Sequence, residues 1–472
     1  MATGSSLVLS SPTSPTEGDK LTFHWTTDAP DAKNWVGIYD GTRLPGTGSS
    51  LLWKYTPDAS GDLQLDTSAL TGGPYTAYLL AKDGYGILAR SAPFSFRPKP
   101  AAPRSHAAVD ALTTTAVAPA TAFSFKLGGL WMRPSGTPVF RKISGDSWLS
   151  VAADGTVSGT SPNTAPVKPA VLTVGVKDPA GNTDTITVQV PVNTKKVILK
   201  TASWNLCKAG AGFEDALEKQ LRVILAQNLD LVALQETAGT AATTLATALG
   251  WYVYQSAGSV GIVSRYPLGE ITAATAELPA AGVTVQLPGN RSIRFWAAHL
   301  DEADYGPYAV QDGRTAEATT ASESASTRGK QATALAALLK AELAARKVVV
   351  LAADLASPSH LDWTPATAAA HSGVTALNWP VTVALQNAGL VDAYRTAHPD
   401  PAASPGNTWS VTRRTRGTKA EPQDRIDQIH FAGRLVLVEA HTLVTGWPQP
   451  EPSAAANEWP SDTAAAVATF TF

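Results

Sequence analysis

The chain carries a single cysteine, Cys207, so no intrachain disulfide can brace it and cysteine pairing says nothing of its redox compartment. Nowhere do about 18 apolar residues run together, the length a membrane-crossing helix needs, so no integral membrane segment is expected. The opening Met1-Ala2-Thr3-Gly4-Ser5-Ser6 has neither the basic start nor the apolar stretch of a secretory leader. Charge of one sign is also missing: 37 Lys+Arg against 39 Asp+Glu leave a formal net charge of −2. That balance excludes holding a polyanion by bulk attraction, so a nucleic-acid substrate would have to be gripped locally. What the chain does have is length and apolar content. Its 472 residues, 44% of them hydrophobic, exceed one core, and about 150 residues per domain suggests roughly three domains.

Residues 5–97 alternate apolar and polar with period two and are punctuated by Gly, Pro and Asp, the pattern of an all-β sandwich. Leu21-Thr22-Phe23-His24-Trp25, Trp35-Val36-Gly37-Ile38-Tyr39 and Tyr75-Thr76-Ala77-Tyr78-Leu79-Leu80 are its clearest strands. Arg97-Pro98-Lys99-Pro100-Ala101-Ala102-Pro103-Arg104 reads as a stiff linker that the Ala/Thr-rich run to Pro119 extends. Residues 120–193 form a second β-module, with a hairpin signal at Asp154-Gly155. The modules resemble immunoglobulin-like repeats, the first with a SKICH-like strand at Trp35–Tyr39. Neither contains converging ionisable residues, which makes them spacers or binding modules. A layout of this kind resembles that of secreted bacterial hydrolases and implies export, with the cytoplasm as the alternative.

From Lys195 to Phe472 the pattern mixes helix and strand, so this region should fold without the modules. Helices are expected over Phe213–Asn228 (Leu217, Leu221, Ile224 and Leu225 on one face), near Ala241–Leu249, and over Thr327–Arg346. Buried strands are expected at Val197–Asn205, Asp230–Glu236, Ile293–His299 and Lys347–Asp354. Between the last two lies Asp301–Thr327, rich in Ala, Ser, Thr and acids and too long for a plain connection; it reads as a lid or as a disordered surface loop.

Strand after strand in this region ends in a polar group its own core cannot use: Asn205, Glu236, His299, Asp354, Asp427 and Asp462. A lone strand-end Asp is usually a turn former, but this series also comes in an order that matches one known family. With Ser264-Arg265-Tyr266-Pro267-Leu268, His360-Leu361-Asp362-Trp363-Thr364, Trp379-Pro380, Gly389–Arg395 and Gly406-Asn407-Thr408-Trp409, the region resembles the endonuclease/exonuclease/phosphatase superfamily. That resemblance implies an α/β fold, a four-layer sandwich of two packed sheets flanked by helices, behind two all-β sandwich domains.

It also implies roles. Glu236 is the principal Mg²⁺ ligand, with Asp462 and Asn205 near the metal or the phosphate. Mn²⁺ and Ca²⁺ are the alternatives, because an oxygen-only set suits hard cations rather than zinc. Asp354 orients the attacking water, and His299 contacts the phosphate or assists the leaving group. Asp427 holds a histidine that directly follows Asp462 in the family. Tyr305 and Tyr308 (a Tyr-x-Pro-Tyr found after the histidine in some secreted members), His360, Arg413 and Arg414 are candidate substrate contacts. The chain departs from the pattern where Ala353 replaces the glycine of the Gly-Asp-Phe-Asn turn and, with consequences for the chemistry, where Ala356 replaces its asparagine and Thr463 replaces the histidine. Loss of a proton-transfer group typically costs 10²–10⁴-fold and loss of an oxyanion donor about 10²–10³-fold. The expected function is therefore a metal-dependent phosphoester hydrolase with a shifted catalytic set, in which His299, His360 or His371 supplies the proton chemistry. The alternative is a pseudoenzyme binding a phosphorylated ligand or partner through the old cleft; no obligate protein partner is evident. Cys207, so close to Asn205, reads as a core thiol.

Overall fold

Period-two alternation in the first region builds two antiparallel sheets. In strand Leu21–Thr26, Leu21, Phe23 and Trp25 point inward and their neighbours outward. One sheet runs Ser6–Ser11, Leu21–Thr26, Ser60–Leu65; the other runs Leu52–Tyr55, Trp35–Asp40, Tyr75–Ala81, Gly86–Arg90. Phe23, Val36, Ile38, Leu79 and Phe94 fill the space between, in the strand order of an immunoglobulin-like sandwich. The computed structural model describes residues 4–41, 43–97, 104–193 and 197–472. The chain divides into two compact units, Met1–Pro103 and Arg104–Phe472; the linker prolines from Pro98 to Pro103, and Lys195, lie outside the described residues.

The second unit contains two six-stranded sheets packed face to face. The first runs Tyr252–Gln255, Gly261–Ser264, Leu231–Gln235, Ile198–Asn205, Ala465–Thr471, Val436–Leu443. The second runs Leu268–Thr272, Ala280–Leu287, Arg291–His299, Val349–Asp354, Asp427–Ala432, Val391–Asp392. The central strands read as unbroken apolar runs because both faces are covered. Leu199, Leu231 and Ile262 meet Val283, Phe295, Val350 and Ile429 between the sheets. On the outside, Trp204, Val232 and Leu234 pack under helices Ala216–Ala226 and Ala241–Leu249. On the far side, Trp296, Leu351 and Ala353 pack under helices Thr327–Ala344 and Pro380–Asn387. The four-layer α/β sandwich is thus present.

The second β-module differs from the expectation. Its strands begin at His106–Ala107 and Ala111–Thr113, inside the Ala/Thr-rich run read as linker. The latter pairs in parallel with Thr183–Val190, so those threonines are ladder residues and the module starts well before residue 120. Nor does it stand apart from the α/β region. Leu127, Leu130 and Trp131 share one core with Leu221, Leu245 and Leu249. Gly129 comes so close to the second helix that a Cβ there would lie 2.4 Å from the Ala248 carbonyl oxygen. Arg265 Nη1 donates to the Thr113 carbonyl at 2.9 Å, and His106 Nε2 meets Glu218 at 2.8 Å. A chain cut near residue 197 therefore exposes an apolar helix face, contrary to the expectation that it folds alone. Calorimetry should show a chain beginning at Arg104 melting as the intact unit does, and one beginning at Val197 melting many degrees lower or aggregating. Equal melting of the two would mean that the shared core contributes nothing.

The Asp301–Thr327 segment is not a disordered surface loop: helices Gly306–Gln311 and Ala316–Ala325 occupy it. Pro307 begins the first, where its missing N–H costs nothing. Thr315 caps the second by accepting from Ala318 N. Both are tied down by Arg328, whose side chain is fully buried. Its guanidinium donates to Glu323 at 2.7 and 3.1 Å and to the carbonyls of Asp301, Ala303 and Asp304. Truncation with Arg328→Ala leaves Glu323 and these carbonyls unpaired, and should cost about 3–5 kcal/mol in a denaturant titration. A loss below about 1 kcal/mol would show water replacing the guanidinium.

Candidate active site

Register sets the first row of site residues. His299 lies opposite Asp354 in the parallel pairing, and Asp354 opposite Asp427 in the antiparallel one, so the three side chains stand side by side at one end of the second sheet. Val350 and Ala352 face the other sheet, so Asp354 does too. On the first sheet Leu199 faces inward, and so, by the same alternation, does Asn205. The two meet across the mouth of the sandwich. Asn205 Nδ2 donates to Asp354 Oδ2 and to Glu236 Oε1, both at 2.9 Å.

Backbone strain concentrates at the same end. Cys207, Lys208 and Ala209 have φ of 50°, 55° and 60°, Glu236 has φ 52°, and Ala356 has φ 47°. Left-handed non-glycine residues cost of order 1–3 kcal/mol each and gather at functional sites. Here the strain has a visible product. The left-handed turn aims Lys208 N–H at Glu236 Oε2 (2.8 Å) and Ala209 N–H at the Glu236 carbonyl (2.7 Å), while Cys207 N–H donates to Asn205 Oδ1 (2.8 Å). After the opposite strand, Ala356 N–H turns back on Asp354 Oδ1 at 2.9 Å.

Glu236, His299 and Glu302 bring one donor atom each within 4.8 Å of one another, a group able to hold a metal ion. Glu302 was not among the residues the sequence singled out, although a Glu three residues past a strand-end His is a legible signal. Asp462, expected as a ligand, lies outside that group. Burial and then repulsion from Glu236 raise its pKa to about 6, against the pull of Arg413, whose guanidinium is 4.0 Å away. The loop bearing Asp462 is fixed by Trp459, which stacks on Trp204 at 4.8 Å and donates to the Thr463 carbonyl at 2.7 Å. Thr463 Oγ1 reaches only Ser461 Oγ (3.3 Å) and the Asn205 carbonyl (3.4 Å). Both carboxylate oxygens of Asp427 are buried without a hydrogen-bond partner. Burial and the neighbouring Asp354 push its pKa well above the carboxylate range.

The other candidates are committed elsewhere. Tyr305 donates to Asp424 Oδ2 (2.9 Å) and Tyr308 to Glu421 (2.6 Å). Arg414 donates to the Ser410, Val411 and Arg413 carbonyls. His360 is held by Thr382 and Gln386 of a flanking helix, and His371 stacks on Trp363 at 4.2 Å, with burial lowering its pKa to about 4. Of the two candidate arginines, Arg413 is the one that faces the site, 4.0 Å from Asp462. Cys207 sits among the acids; burial, then Asp462 and Glu236, raise its pKa to about 12, so it stays a thiol. Asp424, absent from the sequence reading, is buried beneath Trp363 and Tyr305 and raised to about 6, burial being the chief cause.

The model of the Endonuclease/Exonuclease/phosphatase family matches residues 202–462, from the first sheet's inner strand to Asp462. The chain belongs to that family. Members of the endonuclease/exonuclease/phosphatase family are typically phosphoesterases and nucleases, commonly dependent on divalent metals. The chain is 31% identical over 291 residues to the uncharacterized protein F14F9.5 of Caenorhabditis elegans, covering 58% of this chain and 91% of that one. Among solved structures it is similar to a family member from Beutenbergia cavernae (17% identity, 58% of this chain and 71% of that, TM-score 0.38). It is also similar to the 3′ phosphatase NExo from Neisseria bound to product DNA hairpin (20% identity, 58% and 100%, TM-score 0.38). No helix among the described residues is long and apolar enough to cross a membrane.

Proposed function

We propose that the α/β domain is a divalent-metal-dependent phosphoester hydrolase working with a shifted catalytic set. The observation that carries this reading is the Asn205 amide bridging Glu236 and Asp354 beside the Glu236–His299–Glu302 donor group. Acids gathered this closely repel one another unless a cation or a proton compensates. Two carboxylates and an imidazole fit a divalent ion, and the nitrogen favours Mn²⁺ over the Ca²⁺ that an oxygen-only set would admit. A bound ion supplies charge for the phosphoryl oxygens. The chain's own residues do the rest: Asp354, fixed by Asn205 Nδ2 and Ala356 N–H, orients water; Arg413 meets the anionic substrate; Asp427, whose pKa burial and then Asp354 raise well above the carboxylate range, is the group that takes over proton transfer from the missing imidazole.

Calorimetry should show saturable Mn²⁺ or Mg²⁺ binding that Glu236→Ala weakens at least tenfold and Glu302→Gln weakens less. Equal binding by all of these proteins would remove the metal from the account. The second reading, a phosphate-binding pseudoenzyme, is favoured by the Thr463 side chain in the histidine's place and the partnerless Asp427. Metal binding with phosphate-ester affinity but no turnover over a panel of mono- and diesters would support it.

A further inference from the structure

The outward face of a sandwich sheet is ordinarily polar. In the first unit it is aromatic. Trp35, paired with Tyr55, and Gly37, paired with Trp53, lie on strand Trp35–Asp40, which puts Trp35, Trp53 and Tyr55 on one face of the four-stranded sheet. Tyr85 joins them from the turn before Gly86–Arg90. Trp53 is 55% exposed, Tyr85 54% and Tyr55 45%, so these three rings are not absorbed into a core, while the buried Trp35, packed with Tyr39, Tyr78 and Leu80, backs them as the inner wall. Gly37 clears their floor: a Cβ there would lie 2.7 Å from the Trp35 ring. Together with Asp83 and Ser50 they line a cavity of about 330 Å³, the size of a small-ligand pocket.

Ring geometry and charge choose the ligand. Trp35 and Trp53 are 6.1 Å apart at 79°, Trp35 and Tyr85 6.2 Å at 71°, Trp53 and Tyr55 5.1 Å at 82°. A flat sugar ring stacks on a planar platform; rings set nearly at right angles instead form adjoining walls. Such walls present negative π-faces to a rounded cation from several sides, and quaternary ammonium groups are recognised in this way. The carboxylate fits the same charge. Asp83 accepts from Tyr55 Oη at 2.7 Å and pairs with Lys33 at 2.8 Å. That pair is exposed, contributes little, and leaves the carboxylate able to meet a second cation. We propose that this pocket binds a small quaternary ammonium ion of the choline type.

The test uses the full chain, with choline and tetramethylammonium titrated calorimetrically beside the uncharged isostere 3,3-dimethylbutanol and a methyl glucoside. Saturable binding of both cations is expected, with Trp53→Ala weakening it between about 5- and 30-fold, the range of a partly to well desolvated cation–π contact. Asp83→Asn should weaken it severalfold, and Lys33→Met, which removes the competing ammonium, should tighten it. Trp53 and Lys33 are exposed, so neither substitution threatens the fold. Binding of the neutral isostere as tightly as choline, binding of the glucoside alone, or cation binding indifferent to Trp53 and to Lys33 would each overturn the proposal.

Discussion

Replacing Thr463 by histidine and Ala356 by asparagine together should raise hydrolysis of a generic phosphodiester at least about 10²-fold, the lower end of one general acid–base contribution. The structure supplies the place for each. Asp427 has no hydrogen-bond partner for either oxygen, and the Thr463 hydroxyl makes only two long contacts. An imidazole at 463 gives Asp427 a donor, and the carboxylate in turn fixes its tautomer and raises its pKa toward neutrality. Asparagine suits position 356 for a backbone reason as well. Its φ of 47° is left-handed, a region alanine enters at a cost and asparagine tolerates. Ala356→Asn alone should therefore not lower the melting temperature, while it returns a donor to the phosphoryl charge. The double variant's rate should also gain a titration near the imidazole range, about pH 6.5 or above, that the parent lacks. If the variant folds and binds metal yet hydrolyses no faster, the cleft serves binding. If the parent is already fast and slows on reversion, Asp427 and Asp354 are sufficient as they stand.

The sandwich and four strand-end residues, Asn205, Glu236, His299 and Asp354, were legible because buried parallel strands leave a strong mark: an unbroken apolar run stopped by a polar group, as in Leu231–Gln235 followed by Glu236. Asp427, by contrast, opens its strand rather than ending one, and Asp462 lies in the loop before Ala465–Thr471. Their convergence could be inferred only through the family order, since no single strand states which others lie beside it. Glu302 escaped because the helices that follow it look, in sequence, like a low-complexity loop; the buried Arg328–Glu323 pair that organises them has no periodic signature. Tyr305 and Tyr308 are where a substrate contact was expected, but their hydroxyls answer to Asp424 and Glu421, acids more than a hundred positions away in the chain. The shared core beneath Gly129 was hidden for the same reason. Packing between a β-module and a helix face is a long-range fact, and an Ala/Thr run reads alike as linker or as edge strand.

A stability effect as large as that at Arg328 is expected at Arg425, two residues before Asp427 on the approach to its strand. Its side chain is 1% exposed, and it donates to Asp362 at 2.9 and 3.1 Å and to Asp392 at 2.7 and 3.2 Å. Burial opposes ionisation of Asp392, but Arg425 chiefly overcomes it and brings the carboxyl to about 2. A folded pKa below the unfolded one gives stability that is full above about pH 4 and is lost as the pH falls through about 2. Removing the guanidinium by Arg425→Met strands two buried carboxylates, of which only Asp362 keeps a cation, Arg395. The expected loss is about 3–5 kcal/mol in denaturant titrations near neutral pH. It should shrink at acid pH, where Asp392 is protonated in both states. Adding Asp392→Asn to Arg425→Met removes the stranded charge and should recover more than half of the loss. A loss undiminished by that second change would show that the guanidinium acts through its packing on Tyr394, 5.2 Å from the ring centre, rather than by compensating charge.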